Sequence, residues 1–200
     1  MLSARPALLV ACLGVAACTF PTTVGFRHAG DPGLAGRTEV GGSVGAVAGG
    51  LYVGLVSVDA DYSLTERVTV GGSLGLPAGR LQGQVDVRIA TAPEGPFGAS
   101  ALVGLGASTG VGTVLIGPYV GGLGRVRVGE AGFLYTGAKV NPVFGVVTSS
   151  WWVQPVFGYS SAPARFRGGV EALALLPVAG ATIIPGGFGA QAWLRVTLPE

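Results

Sequence analysis

Apolar and polar side chains alternate along much of this chain with a period of two. Between Arg67 and Leu76 the even positions are apolar or glycine, and the odd positions are polar or glycine. After a short Pro-Ala-Gly turn the alternation resumes, with Val85 on one face and Asp86 on the other. This period is that of a β-strand whose two faces meet different environments. The pattern therefore predicts strands, each with one apolar and one polar face.

Counting such runs between turn signals predicts eight to ten strands. They lie near residues 38–49, 51–63, 66–76, 81–92, 96–108, 112–127, 131–147, 150–161, 165–177 and 185–198. Short connections between consecutive strands favour antiparallel neighbours. The predicted fold is an all-β, up-and-down (meander) barrel over residues 38–198, with an outer face toward lipid.

Composition favours the membrane over water as the surroundings of that outer face. Charged residues make up 11% of the chain, less than half of the roughly 25% in an ordinary soluble domain. The net charge is +2, and the twelve Lys and Arg are scattered, which argues against a nucleic-acid partner because such a protein needs a clustered basic face. Glycine, at 37 of 200 residues, suits closely approaching, curved strands better than helices.

Two other folds compete with a transmembrane barrel. The stretch Phe97–Gly124 is uncharged, so membrane-spanning helices packed through glycines are conceivable. A soluble barrel or sandwich would turn the apolar face inward. Its outer face would then carry more Lys and Glu than the polar faces of this chain provide.

The first seventeen residues have the layout of a secretory signal peptide, with Arg5 ahead of an apolar run that ends in small residues. The run closes in Val15-Ala16-Ala17-Cys18, which resembles the lipobox of bacterial lipoproteins. That resemblance implies cleavage after residue 17, lipidation of Cys18 and a linker or arm over 18–37. Cleavage at the same place by an ordinary signal peptidase is the alternative.

The segment Tyr62–Gly75 (YSLTERVTVGGSLG) resembles a hairpin of small outer-membrane β-barrels of Gram-negative bacteria. It has an aromatic strand end, a tight turn and an alternating, glycine-rich return strand. The resemblance implies an outer-membrane location, with membrane lipid and the outer-membrane assembly machinery as partners. Such barrels commonly end in an aromatic residue, whereas here Leu198 is followed by Pro199 and Glu200.

Two groups of side chains follow from the predicted faces. A lumen network of structural ion pairs is expected among the inward charges, because charges in a narrow interior need partners. Its members are Asp59, Asp61, Arg67, Asp86, Arg88, Arg165, Arg167, Glu171 and Arg195. Aromatic residues near the strand ends are expected at the membrane-water interfaces. They are Tyr52, Tyr62, Trp151 and Tyr159.

No motif in the chain predicts catalysis, a metal or a cofactor. The single histidine, His28, lies in the predicted arm, where it could pair with a wall serine only if the arm folded back. Asp59 and Asp61 share a face and would suit a cation, but ion pairing with inward arginines is the better explanation. Glycine-rich segments such as Gly121–Gly124 lack the lysine and hydroxyl residue of a phosphate-binding loop.

Three functions are compatible with these features. The first is a non-enzymatic barrel lipoprotein with a structural or envelope-interaction role. The second is a ligand-binding or small-solute transport barrel, either lipocalin-like or a narrow pore. The third is a lipid-modifying barrel enzyme, whose activity would depend on His28.

Overall fold

The computed structural model of the protein describes residues 35–48, 53–76, 81–91, 95–109, 114–144, 149–162, 164–180 and 186–199. Ten strands account for nearly all of them. The strands are β1 (Thr38–Ala48), β2 (Val53–Ser63), β3 (Val68–Gly75), β4 (Gln82–Thr91), β5 (Phe97–Thr109), β6 (Val114–Val128), β7 (Gly132–Phe144), β8 (Ser149–Ser161), β9 (Phe166–Gly180) and β10 (Gly187–Thr197).

Each strand pairs antiparallel with its neighbours in the chain, and β10 pairs with β1 to close the barrel. The closing pair is a full ladder that runs from Glu39 opposite Thr197 to Ala48 opposite Phe188. The predicted all-β meander barrel is therefore confirmed, with a strand number at the upper limit of the predicted range.

The outer face of the barrel is apolar and the inner face is polar, as the alternation predicts. On β4, the outward Val85 is 60% exposed, whereas its neighbours Asp86 and Arg88 are 5% and 6% exposed. Outward valine, leucine and phenylalanine side chains continue this surface around the barrel. An apolar outside around a charged inside is the arrangement of a transmembrane β-barrel. It is the reverse of a soluble barrel, in which the apolar face is buried.

The uncharged stretch that suggested membrane helices forms β5 and most of β6 instead. Within the described residues, no helix is both long enough and apolar enough to cross a membrane.

The connections between strands are short at both ends of the barrel. We call the end that holds the start of β1 and the finish of β10 the terminal end, and the other the opposite end. No connection between consecutive strands is longer than six residues, which is too short for a loop to fold back as a plug. Within the described part of the chain, inward side chains occupy the interior, as they do in other small barrels.

One strand is longer than the alternation predicts. β9 continues to Gly180, three residues beyond the predicted end at Pro177. Pro177 pairs with Trp152, whereas Trp151 pairs with Ala179, so one extra residue lies on β9. A bulge of this kind leaves a backbone position without a ladder partner, and a proline is tolerated there.

Candidate functional site in the barrel lumen

A belt of ion pairs crosses the lumen toward the terminal end. Arg195 on β10 donates to Asp59 on β2 at 2.5 Å, contacts Asp61, and lies 3.5 Å from Glu39 on β1. Glu39 also accepts a hydrogen bond from Arg167 on β9. β1 and β10 pair to close the barrel, and β2 and β9 are their other neighbours. The ion pairs therefore connect side chains on both sides of the β1–β10 pairing.

The belt continues along the wall to β4 and β6. Arg88 donates through Nη1 to Asp61 Oδ2 at 2.6 Å, and its Nε lies 2.8 Å from Asp86 Oδ1 in a second ion pair. The hydroxyl of Tyr119 donates to Asp86 Oδ2 at 2.9 Å. We call this set the charge belt. Its members are Glu39, Asp59, Asp61, Asp86, Arg88, Arg167 and Arg195.

A second polar cluster lies beside the belt, around Glu171 on β9. The hydroxyl of Tyr135 and the amide nitrogen of Gln191 each donate to one oxygen of Glu171, both at 2.6 Å. Trp193 donates through Nε1 to the Tyr135 hydroxyl at 3.4 Å. With both carboxylate oxygens bonded, Glu171 has the partners that a buried charge needs.

Two further cations lie over aromatic rings in the lumen. The guanidinium of Arg125 lies 4.8 Å from the ring centre of Phe133. The ammonium of Lys139 lies 5.5 Å from the ring centre of Tyr119. Cations in such positions are attracted to the negative face of the ring.

Side chains fill the lumen at this level. Ten charged side chains in the described part of the chain are buried, none more than 7% exposed, and they comprise five acids and five bases. Among the largest fully buried side chains are Trp152, Tyr135, Phe133 and Lys139. The interior thus has balanced charge and no wide aqueous passage along these residues.

The structure places seven of the nine predicted network residues in the lumen and the other two outside it. Arg67 and Arg165 are exposed. Arg67 belongs to the turn between β2 and β3, where its backbone N–H donates to Thr65 Oγ1 at 3.1 Å. Arg165 belongs to the turn before β9, and its guanidinium lies 5.8 Å from the ring centre of Phe166. The alternation was extended one residue too far in both cases, because a turn does not keep the pleat of a strand.

The predicted interface aromatics lie near both ends of the barrel, where they are described. Tyr62 is 45% exposed near the terminal end and Trp151 is 47% exposed near the opposite end. Tyr159, near the terminal end, donates its hydroxyl to the carbonyl of Ala131 at 2.8 Å. Outward phenylalanines that were not predicted as interface residues share these two levels. They are Phe97, Phe144, Phe166 and Phe188.

Several predicted features lie outside the described residues. These are the signal peptide, Cys18, His28, most of the arm over 18–37, and Tyr52. In the part of the chain that the structure describes, no group of three or more His, Cys, Asp and Glu residues could hold a metal ion.

The sequence-based prediction missed three lumen charges, namely Glu39, Arg125 and Lys139. Glu39 begins a strand whose alternation is interrupted by consecutive glycines, so its face was not readable. Arg125 lies on the same face of its strand as the inward Leu123, and Lys139 is the lone charged residue of its strand. Both signals were present in the sequence, because a charge on a membrane strand must face the lumen.

A shallow apolar depression lies on the outside of the barrel, across β2 to β5. Its outward lining includes Val58, Leu74 and Leu105, with Gly72 and Gly83 between them. These residues share the face that the alternation assigns to lipid. The depression therefore does not contribute to the lumen site.

No family model matches this chain, and no curated protein matches its sequence. A solved outer membrane channel from Pseudomonas putida F1 is similar to it, with a TM-score of 0.52 and 10% sequence identity over 90% of this chain and 100% of that one. The KdgM porin gives a TM-score of 0.40 and 9% identity over 80% of this chain and 99% of its own. The first similarity supports the barrel fold, and the second is too distant to add to it.

Proposed function

We propose that this chain forms a narrow pore for small solutes in an outer membrane. The observation that carries the proposal is the polar lumen, in which five acids and five bases line the inside of a barrel whose outside is apolar. A barrel that only needed a stable interior could fill it with apolar side chains, which avoid the cost of burying charge. Charged and hydrogen-bonding groups along an interior are instead what a polar solute requires in place of water.

The number of strands and the filling of the lumen set the expected size of the passage. Barrels of about eight strands have interiors that side chains just fill, and sixteen-stranded porins leave a wide channel. Ten strands, with Tyr135 and Trp193 buried in the lumen, belong near the lower limit. Solute passage therefore requires side chains to move, and the ion conductance should be small.

The proposed location of the barrel in an outer membrane is supported by its fold and is consistent with the predicted signal peptide. An apolar outer face with aromatic residues near both ends suits a bilayer, and the outer membrane is where closed barrels of this kind are assembled in Gram-negative bacteria. Lipidation of Cys18 would add an anchor to the integral barrel. Its assembly there would depend on the outer-membrane assembly machinery.

Conductance and solute uptake test the pore directly. The full-length protein, folded in detergent as judged by heat-modifiable gel migration, is placed in planar bilayers and in liposomes. We expect small conductance steps in KCl and slow liposome swelling with arabinose, both absent with the heat-denatured protein. A folded barrel that gives neither signal would contradict the proposal.

A structural or envelope-interaction role is the second candidate, and the filled lumen favours it. Buried charges that pair as closely as Arg88 with Asp61 and Asp86 could hold the wall rigid without passing any solute. A silent barrel in both assays would support this role. The protein would then act through its outer surface or its loops.

A further inference from the structure

The lumen changes character toward the opposite end of the barrel. The inward position nearest that end is uncharged on every strand that the structure describes. These positions are Val47, Leu55, Gly75, Gln82, Ser108, Leu115, Val143, Ser150, Leu175 and Gly187. The charge belt lies toward the terminal end, so the lumen has one charged layer and one uncharged layer.

Five of these ten positions carry an apolar side chain, and Trp152 follows Ser150 as the next inward residue on β8. We define the apolar seal as Val47, Leu55, Leu115, Val143, Trp152 and Leu175. The six come from β1, β2, β6, β7, β8 and β9, so they approach the axis from both sides of the barrel. All six are buried, and they form the part nearest the opposite end of a larger apolar cluster that continues to Tyr135 and Phe133.

Trp152 is the largest member of the seal and its orientation is fixed. It is 1% exposed, and its indole Nε1 donates to Ser150 Oγ at 2.9 Å. Its backbone pairs with Asn141 on β7 and with Pro177 at the bulge on β9. The ring is therefore an inward, buried side chain at a level where the strands on both sides are paired.

The two layers interact with a passing ion in different ways. In the charge belt, carboxylates and guanidinium groups can replace part of the hydration shell of an ion. The apolar seal offers no such replacement, and removing water from an ion without compensation is very costly. Hydrophobic constrictions in channels close by expelling water, even where the backbone does not move.

We infer that the apolar seal, and not the charge belt, determines whether ions cross the lumen. This inference rests on the proposed pore function and specifies the residues that limit conduction. Making the seal polar or smaller should admit water at that level. Neutralising belt residues should change conduction much less, because the seal stays dry.

The test compares seal, belt and lipid-face variants of the full-length protein in planar bilayers. Trp152→Ala and the double variant Leu115→Ser/Val143→Ser alter the seal. Glu39→Gln/Arg167→Gln neutralises one belt pair without leaving a lone charge. Trp151→Ala is the matched control, because this neighbouring tryptophan is 47% exposed on the lipid face. Heat-modifiable migration verifies the folding of each variant.

We expect the seal variants to raise the KCl conductance several-fold over wild type, the belt pair to change it by a smaller factor, and Trp151→Ala to leave it close to wild type. If the belt pair raised the conductance and the seal variants did not, the inference would be wrong and the pore function would stand. If the wild type and all folded variants were silent, the pore function itself would fail. Should Trp152→Ala not fold, the smaller serine substitutions decide the question.

Discussion

Large inward side chains of this barrel lie against inward glycines of the neighbouring strand. A Cβ atom added at Gly158 would lie 2.5 Å from Tyr135 Cζ, and one added at Gly169 would lie 2.5 Å from Trp193 Cζ2. Both rings are held by the hydrogen bonds around Glu171. Part of the high glycine content is thus explained by close approach, because any side chain at these positions would displace an aromatic ring.

We therefore expect Gly158→Ala and Gly169→Ala to lower the free energy of unfolding by about 1–3 kcal/mol each, the usual cost of overpacking. Gly124→Ala is the matched control, because an added Cβ there meets nothing within 4 Å. Urea titration of the folded protein in lipid vesicles measures the difference. Equal stability of the three variants would contradict the close-packing explanation.

Substitution of Arg195, in the lumen, and of Arg165, at the surface, tests whether the lumen arginine contributes more to stability. Arg195→Leu leaves Asp59 and Asp61 without a cation that both contact, so it should cost about 3–5 kcal/mol of stability, as for other broken buried ion pairs. Arg165→Leu, at an exposed turn position, should change stability by no more than about 0.5 kcal/mol. If Arg195→Leu lost no more than about 0.5 kcal/mol, the belt would not stabilise the barrel.

At the scale of the strand, the alternation determines which side chains face the lumen and which face lipid. On β4, every second residue from Leu81 to Ile89 faces outward, and a shift of one residue would reverse all of them. The residues between them, which include Gln84, Asp86 and Arg88, face inward. The alternation is therefore a property of the whole strand, which explains why it could be read without knowing its neighbours.

A charge on the outward face of β4 should be poorly tolerated. Val85 lies near the middle of its strand and is 60% exposed on the apolar face, so Val85→Arg should destabilise the folded protein in lipid by about 2–4 kcal/mol. Leu198→Arg, just beyond the end of β10, should cost only about 0–1 kcal/mol. Urea titration in vesicles gives both values, and tolerance of Val85→Arg would show that this face does not meet lipid.

At the scale of the whole molecule, closure joins the first strand to the last. It brings Glu39 together with Arg167 and Arg195, which lie 128 and 156 residues further along the chain. The belt's ion pairs that involve Arg167 and Arg195 exist only in the closed barrel. We therefore expect these ion pairs and the β1–β10 pairing to break together when the protein unfolds.

The predicted anchor concerns the whole molecule as well. Cys18→Ala should abolish incorporation of labelled fatty acid into the expressed protein. Cys12→Ala should leave incorporation intact, because Cys12 lies within the predicted signal peptide, ahead of the predicted cleavage after residue 17. The barrel should fractionate with the outer membrane in both variants, because its apolar face holds it there without a lipid. Labelling that persisted in Cys18→Ala would contradict the lipobox assignment.

The sequence predicted the positions of the strands well and the site only in part. Asp61, Arg88 and Arg195 could be assigned to the lumen because each lies on a clearly alternating strand. Arg67 and Arg165 could not be assigned correctly, because the alternation gives no sign of where a strand ends and a turn begins. Apart from Asp86, which lies two residues from Arg88 on the same strand, the partners of these charges could not be predicted, since they lie on other strands of the barrel.

The sequence by itself determined that this chain forms lipid-facing strands with polar inner faces, since the side-chain direction along a strand depends only on the parity of the residue number. The tertiary structure decided the rest. Register between strands placed Tyr135 against Gly158, and closure assembled the charge belt from both ends of the chain. The separation of a charged layer from the apolar seal is likewise a property of the closed barrel, because it depends on the height at which ten inward faces meet.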